Sequence, residues 1–190
     1  KKGFDLYSEN PEFCISTALY NYYIEHYREK GFFYRSLLFT FPKGDKKKGL
    51  QLLSEGHNKG LFTSVECLLY LAHLNFKMEN KPFVGLGHCK ILYEEYPANE
   101  RFQEMYIENL LQCKKYSAAA KVLQQFKRSD NDYYKPKAIL FEAIINLEKN
   151  KNLPLAKRYL LKSIEQLESL PGDNDHFKSL AFLKLAQLEE

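Results

Sequence analysis

Small residues recur along this chain at a spacing that fits a repeated pair of helices. One series lies early in the second helix of each candidate pair, with members 36, 34 and 37 residues apart: Gly49, Gly85, Ala119 and Ala156. A second series lies 13 residues earlier, and three of its four members are small: Ser36, Ala72, Tyr106 and Ala143. Small residues at such points allow two helices to cross closely. The spacing therefore predicts stacked helical hairpins.

The predicted hairpins span residues 31–60, 63–95, 99–127 and 133–169, and an end helix spans 174–189. Apolar periodicity predicts these helices: 10–28, 31–41, 45–58, 63–79, 82–95, 99–114, 116–127, 133–150, 153–169 and 174–189. There are only 9 Gly and 7 Pro, and the prolines fall between the periodic segments. Strand-like alternation is scarce. The predicted fold class is all-α, with one domain over residues 1–190.

The hairpins resemble the tetratricopeptide repeat, a helix–turn–helix unit of about 34 residues. Three local features fit that family. Gly44-Asp45 and Lys115-Tyr116 form the turns before the second helices that contain Gly49 and Ala119, and Pro97 follows the second helix that contains Gly85. The resemblance covers residues 31–165 and implies antiparallel hairpins stacked in a right-handed α-α superhelix. In this family the first helix of each hairpin lines the concave face. The 13-residue spacing and Tyr106 depart from the family pattern and predict irregular turns.

Both ends of the sequence resemble parts of the same repeat. "YSENPEF" at 7–13 is similar to "YEEYPANERF" at 93–102, and "LKLAQLEE" near the end is similar to "LFEAIINLEK". Because the chain begins Lys-Lys, we interpret it as a trimmed piece, so the lack of a targeting signal carries no information. The end helix is predicted either to cap the last repeat or to lack its partner helix.

Charge and cysteine content narrow the class of partner. The net charge is +4, and the only compact basic run, Lys46-Lys47-Lys48, is interpreted as a solvated helix start. No nucleic-acid partner is predicted. No apolar stretch is long enough to cross a bilayer, so no membrane insertion is predicted. The four cysteines form no CxxC and slightly favour the cytoplasm. Compartment and oligomeric state stay open.

Catalytic motifs are missing from the sequence. It contains no GxSxG, HExxH, GxxxxGK[ST] or GxGxxG, so we predict no enzyme and no catalytic, cofactor-binding or metal-ligating residue. The one Cys/His cluster lies in hairpin 63–95: Cys67, His73, His88 and Cys89. Their spacing spreads them around helices, which suits convergent ligation poorly. A small-molecule or metal site in this hairpin is the alternative function.

An asparagine recurs three residues after the first-helix position of three hairpins: Asn75, Asn109 and Asn146. Because Asn is a poor residue for a helix interior, its recurrence predicts a repeated hydrogen bond. One interpretation places each amide in a buried contact with a neighbouring helix. The other is a ladder of amides along a peptide-binding groove. The buried interpretation is preferred, since an apolar residue follows each Asn.

The preferred function is a non-catalytic scaffold that binds a protein or peptide on the concave face without a cofactor. Candidate partner-binding residues lie on the predicted first helices: Tyr70, Asn75, Lys77, Arg101, Glu104, Glu108, Asn109, Phe141, Asn146 and Glu148. All except the asparagines are expected to be exposed. Their mixed charges favour a partner that is neither strongly acidic nor strongly basic.

Overall fold

The computed structural model describes residues 10–188, and within that range the chain is all-helical, with no β-strand. This confirms the predicted all-α class. The helices, in chain order, are α1 (Cys14–Glu29), α2 (Phe32–Leu37), α3 (Lys46–Lys59), α4 (Ser64–His73), α5 (Pro82–Glu95), α6 (Glu100–Gln112), α7 (Tyr116–Phe126), α8 (Lys135–Glu148), α9 (Leu153–Ser169) and α10 (Asp175–Ala186). A 3-10 turn, Pro11–Phe13, precedes α1, and a π-helical turn, Leu74–Met78, extends α4.

Local capping explains where several helices begin. Side chains of Asp45, Asn99 and Asn152 accept hydrogen bonds from backbone N–H groups in the first turns of α3, α6 and α9. Pro82 occupies the first turn of α5, where its missing N–H costs nothing. These starts match the sequence prediction closely. The main departure is α2, which is much shorter than the predicted 31–41.

The chain divides after Asn80 into two compact units, which we call unit 1 and unit 2. The sequence analysis predicted a single domain over residues 1–190. The two helices of predicted hairpin 63–95 accordingly belong to different units, α4 to unit 1 and α5 to unit 2.

Unit 1 is built around α3, which packs against both α1 and α4. Gly49 lets α3 lie against the backbone of α1, since a Cβ atom there would lie 2.7 Å from the carbonyl oxygen of Ala18. Gly56 lies two turns further along α3, where a Cβ would lie 2.3 Å from Cys14 Sγ and 2.6 Å from Cys67 Sγ. Glycine at these two positions thus sets the spacing of the three helices.

Predicted hairpin 31–60 needs a correction. The prediction paired residues 31–41 with the helix that contains Gly49 and assigned Ser36 to their contact. In the structure that helix, α3, packs on α1, and Ser36 is exposed. The small residue that faces Gly49 is Ala18, which is fully buried. The spacing between two small residues could not reveal which earlier helix carries the true partner.

Unit 2 is a succession of neighbouring helices from α5 to α10. Each packs against the next, and α8 also contacts α6 and α10. The pairs α6–α7 and α8–α9 are those of predicted hairpins 99–127 and 133–169. Four alanines of unit 2 have no exposed surface: Ala119, Ala143, Ala156 and Ala181. Phe126 and Phe141 belong to the same core, with ring centroids 6.1 Å apart.

Candidate binding groove in unit 2

Three alternate helices of unit 2, α6, α8 and α10, line a groove of about 630 Å³. Its floor is apolar and comes from all three helices: Leu111, Phe141, Ile144, Leu180 and Leu183. Its polar lining comes from the same helices, the residue after α10, the turn between α6 and α7, and the first residue of α7: Glu108, Gln112, Lys114, Tyr116, Glu148, His176, Lys184 and Gln187. An apolar floor with polar groups around it is the usual composition of a ligand-binding groove.

Two hydrogen-bonded pairs join α10 to the other helices at the groove. Lys184 Nζ of α10 donates to Glu148 Oε1 of α8 at 2.6 Å. His176 Nε2 of α10 lies 2.5 Å from Glu108 Oε1 of α6. Both acids are only partly exposed, with 27% and 14% of their side-chain surface accessible for Glu148 and Glu108. The acids at the groove therefore already have partners in this structure.

Lysines around Glu148 set the electrostatics of the groove. The hydrogen bond from Lys184 lowers the pKa of Glu148, opposed by partial burial and helped by the charges of Lys184, Lys151 and Lys114. Burial, together with the charge of Glu148, raises the pKa of the Tyr116 hydroxyl, so this side chain is neutral at physiological pH. Glu148 is ionised there.

Lys114 lies in the turn between α6 and α7 with a left-handed backbone (φ 58°). Among residues 10–188 it forms no ion pair with a described carboxylate. The N–H of the following residue, Lys115, bonds to the carbonyl of Leu110 and closes the end of α6. Lys114 is exposed in the groove lining, so its ammonium group can contact a bound ligand.

A buried lysine in unit 2 helps to hold the three groove-lining helices. Lys137 of α8 is 1% exposed, and its Nζ donates to Glu104 Oε2 of α6 at 2.7 Å. The same Nζ lies 3.8 Å from the ring centroid of Tyr133 and 4.4 Å from that of Phe177 in α10. Burial raises the pKa of Glu104 more than Lys137 lowers it. The ammonium is thus enclosed by a carboxylate and aromatic faces.

Three of the predicted partner-binding residues, Glu108, Phe141 and Glu148, line the groove. Phe141 was expected to be exposed, which is wrong: it is 0% exposed, and only its position in the floor relates it to the groove. Glu104 is engaged by Lys137, whereas Arg101 is exposed outside the groove.

The remaining non-asparagine candidates, Tyr70 and Lys77, belong to unit 1. Tyr70 is half-buried and packs against the unit 1 core, while Lys77 is exposed beside the ring of Phe76. The structure does not bring these two residues into the groove of unit 2.

The recurrent asparagines are buried, as the preferred interpretation predicted, but their partner was predicted wrongly. Each side-chain amide donates within its own helix to the carbonyl four residues earlier: Asn75 to Leu71, Asn109 to Met105 and Asn146 to Glu142. No neighbouring helix supplies the acceptor in these bonds. The amide group folds back along the helix, a local bond available to this short side chain.

The sequence prediction missed the contribution of α10 to the groove. The end helix was interpreted as a cap or an unpaired remnant, so its side chains were not considered as binding residues. A signal was present: Ala181 lies 38 residues after Ala143, continuing the series of small first-helix residues, and both are fully buried. This spacing would have marked α10 as a further first helix, but it aligns His176 and Lys184 with Ala138 and Asn146 and not with the groove residues of α8.

No described group of three or more His, Cys, Asp or Glu side chains could hold a metal ion. Cys67 and Cys89, proposed above as part of one cluster, lie in different units. Cys67 Sγ instead lies 3.6 Å from Cys14 Sγ, and both side chains are buried. Within the described residues, no helix is long and apolar enough to cross a membrane.

Comparison with known proteins adds no family to this description. A scan against protein-family models gave no match, and neither the curated proteins nor the solved structures contained a matching chain.

Proposed function

We propose that unit 2 is a non-catalytic module that binds a peptide or protein segment in the groove of α6, α8 and α10, within a tetratricopeptide-like stack of hairpins. The observation that carries the proposal is the shared groove of alternate helices. Stacked hairpins place their first helices side by side, and the concave face so formed is the usual binding surface of helical repeats. The buried alanines of unit 2 support the same arrangement.

The groove favours a partner segment with apolar side chains flanked by polar or charged groups. Leu180 and Leu183 offer apolar surface, and Leu183 is 57% exposed. A bound side chain that covers this surface removes it from water, at about 25 cal/mol per Å² of apolar area. The paired acids Glu108 and Glu148 repel an acidic segment less than free carboxylates would, while Lys114 attracts one.

Two adjacent residues of α10 provide a matched test. Leu183 lines the groove, whereas Phe182 does not, yet both are about half exposed. We would select peptides from a displayed random library on the full chain and measure their affinities by calorimetry. Leu183→Glu is expected to weaken binding at least about tenfold, because it places a charge on the apolar floor. Phe182→Glu is expected to leave affinity unchanged.

Two results would reject the proposal. One is a library that yields no binder. The other is a set of binders that Phe182→Glu weakens as much as Leu183→Glu, since binding would then not use the groove. Circular dichroism and melting temperature of both variants check that each change leaves the helices folded.

A further inference from the structure

Unit 1 displays a run of large apolar side chains on α2 and the loop after it, residues 32–41, which we call the aromatic segment. Phe32, Phe33 and Phe39 have 85%, 70% and 83% of their surface exposed. Tyr34, Leu37 and Phe41 are exposed as well. A contiguous apolar patch of this kind on a folded unit usually marks an interaction surface.

Polar contacts with α1 hold the backbone of the aromatic segment in place. Arg28 Nη2 donates to the carbonyl oxygens of Leu38 and Phe41, both at 2.7 Å. The hydroxyl of Tyr20 donates to the carbonyl of Pro42 at 2.8 Å. The main chain is therefore fixed by side chains of α1 while the phenylalanine rings face solvent. This arrangement presents the rings in a defined place.

Basic side chains surround the aromatic segment. Between positions 28 and 48 the sequence has seven Lys or Arg and two acidic residues. Both acids in the surface cleft beside Phe39 are engaged, Glu25 with Arg28 at 3.8 Å and Glu29 with Lys46 at 3.0 Å.

Four cations near the aromatic segment form no ion pair with a described carboxylate of residues 10–188: Lys30, Arg35, Lys43 and Lys47. Arg35 and Lys43 line the same cleft, and Lys47 follows it at the start of α3. One acid in this stretch, Asp45, also forms no ion pair within the described residues and caps α3. The net unpaired charge around the aromatic segment is therefore positive, which is complementary to an anionic surface.

We propose that the aromatic segment docks unit 1 on an anionic lipid surface. Phenylalanine rings enter the interfacial region of a bilayer, and neighbouring Lys and Arg side chains contact lipid phosphates. This combination suits a membrane surface because lipids accept protruding rings and cations without a matching protein shape. The contact is peripheral, and it is independent of the groove in unit 2.

Vesicle sedimentation of the full chain tests this proposal. We would compare vesicles of phosphatidylcholine alone with vesicles that also contain phosphatidylglycerol. The chain is expected to sediment with the anionic vesicles only, and less so as salt is added, because salt screens the attraction. Phe32→Ser with Phe39→Ser is expected to weaken binding at least about tenfold, since two apolar rings are lost.

A charge variant and two controls complete the test. Arg35→Glu with Lys43→Glu is expected to weaken binding at least about tenfold, because each cation contributes roughly fivefold near an anionic surface. Phe83→Ser and Lys121→Glu alter exposed residues of unit 2 and are expected to change nothing. All substituted side chains are exposed, so circular dichroism should be the same for every variant.

Three outcomes would overturn the proposal. The first is a chain that does not sediment with anionic vesicles. The second is binding that survives both double variants, because it would then use another surface. The third is a dimer in solution that Phe32→Ser with Phe39→Ser dissociates, since a second copy of the chain would then cover the segment.

Discussion

Units 1 and 2 bring their helices together through different small residues. In unit 1, Gly49 of α3 lies so close to the backbone of α1 that a methyl group has no room. In unit 2 the corresponding positions of the sequence repeat are Gly85, Ala119 and Ala156, all of them buried, and the last two add a methyl group to the interior. One sequence spacing thus occurs both with a glycine against a neighbouring backbone and with buried alanines.

The units also differ in where they place charged groups. Unit 2 encloses Lys137 with Glu104 and aromatic rings, and thereby ties α6, α8 and α10 together. In unit 1, Glu12 lies near the surface and its carboxylate accepts backbone N–H bonds from Phe62 at 3.1 Å and Thr63 at 2.9 Å. A buried ion pair thus stabilises the core of unit 2, whereas a surface carboxylate stabilises a loop of unit 1.

The largest effect is expected for Lys137→Ala in unit 2. The change leaves the Glu104 carboxyl partly buried without its cation and removes the group that the rings enclose, so unfolding free energy should fall by about 3–5 kcal/mol. Urea denaturation measures this loss. The double variant Lys137→Met with Glu104→Gln should recover much of it, because no unpaired charge is left. A single variant as stable as wild type would contradict a bracing role for this pair.

A pair of Gly→Ala changes contrasts the two units directly. Gly49→Ala should destabilise unit 1 by about 1–3 kcal/mol, because the new methyl group overlaps the carbonyl of Ala18. Gly87→Ala on α5 meets no atom within 4 Å and should stabilise unit 2 by about 0.4–1 kcal/mol. Hydrogen exchange resolved by peptide assigns each change to its unit. Equal responses would show that Gly49 is not in a tighter helix contact than the exposed Gly87.

A smaller effect is expected for Asn109→Ala, about 1 kcal/mol or less. Its amide bonds to Met105 in its own helix, and that carbonyl keeps its helical partner when the side chain is removed. The Oδ1 atom of Asn109 is buried without a partner, so removing it offsets part of the loss. Asn146→Ala is the control and should cost more, since Asn146 Oδ1 accepts a bond from Asn150 at 3.0 Å. Thermal melting of both variants decides the order.

The smallest effect is expected from Glu12 and appears only at acid pH. Burial opposes ionisation, but hydrogen bonds from the backbone N–H groups of Phe62, Leu61 and Thr63 outweigh it and lower the pKa of Glu12 below 4.5. Its contribution to stability is therefore complete above the unfolded-state value and is lost as pH falls through the folded-state value. Glu12→Gln should flatten the loss of unit 1 stability in acid, measured by urea denaturation across this range. An unchanged slope would exclude this role.

Local sequence signals predicted where helices begin, but they did not predict which helices pack against each other. Asn99 and Asn152 mark the starts of α6 and α9. This signal is local, because a capping hydrogen bond joins residues only two or three positions apart. The pairing of α3 with α1 needs Ala18, which lies 31 residues before Gly49 and outside the predicted register. No local pattern distinguishes Ala18 from Ser36.

The groove was predictable only in part for the same reason. In the family that the chain resembles, first helices line the binding face, and this selected Glu108 and Glu148. It did not predict that Phe141 is buried, because apolar residues occur on every side of α8. It also could not pair Glu148 with Lys184, since that contact depends on how α10 lies across α8. Side-chain direction decided the asparagine bonds, and spacing carries no information on direction.

The buried contact between Cys14 and Cys67 allows the opening rate of unit 1 to be measured by thiol labelling. Both thiols are 2% exposed or less, and burial raises the pKa of Cys67 to about 12, so the native state offers almost no reactive thiolate. A thiol reagent can reach either sulfur only after α1 and α4 separate from α3. The labelling rate of these two residues therefore reports how often the helices of unit 1 separate, without an added tryptophan.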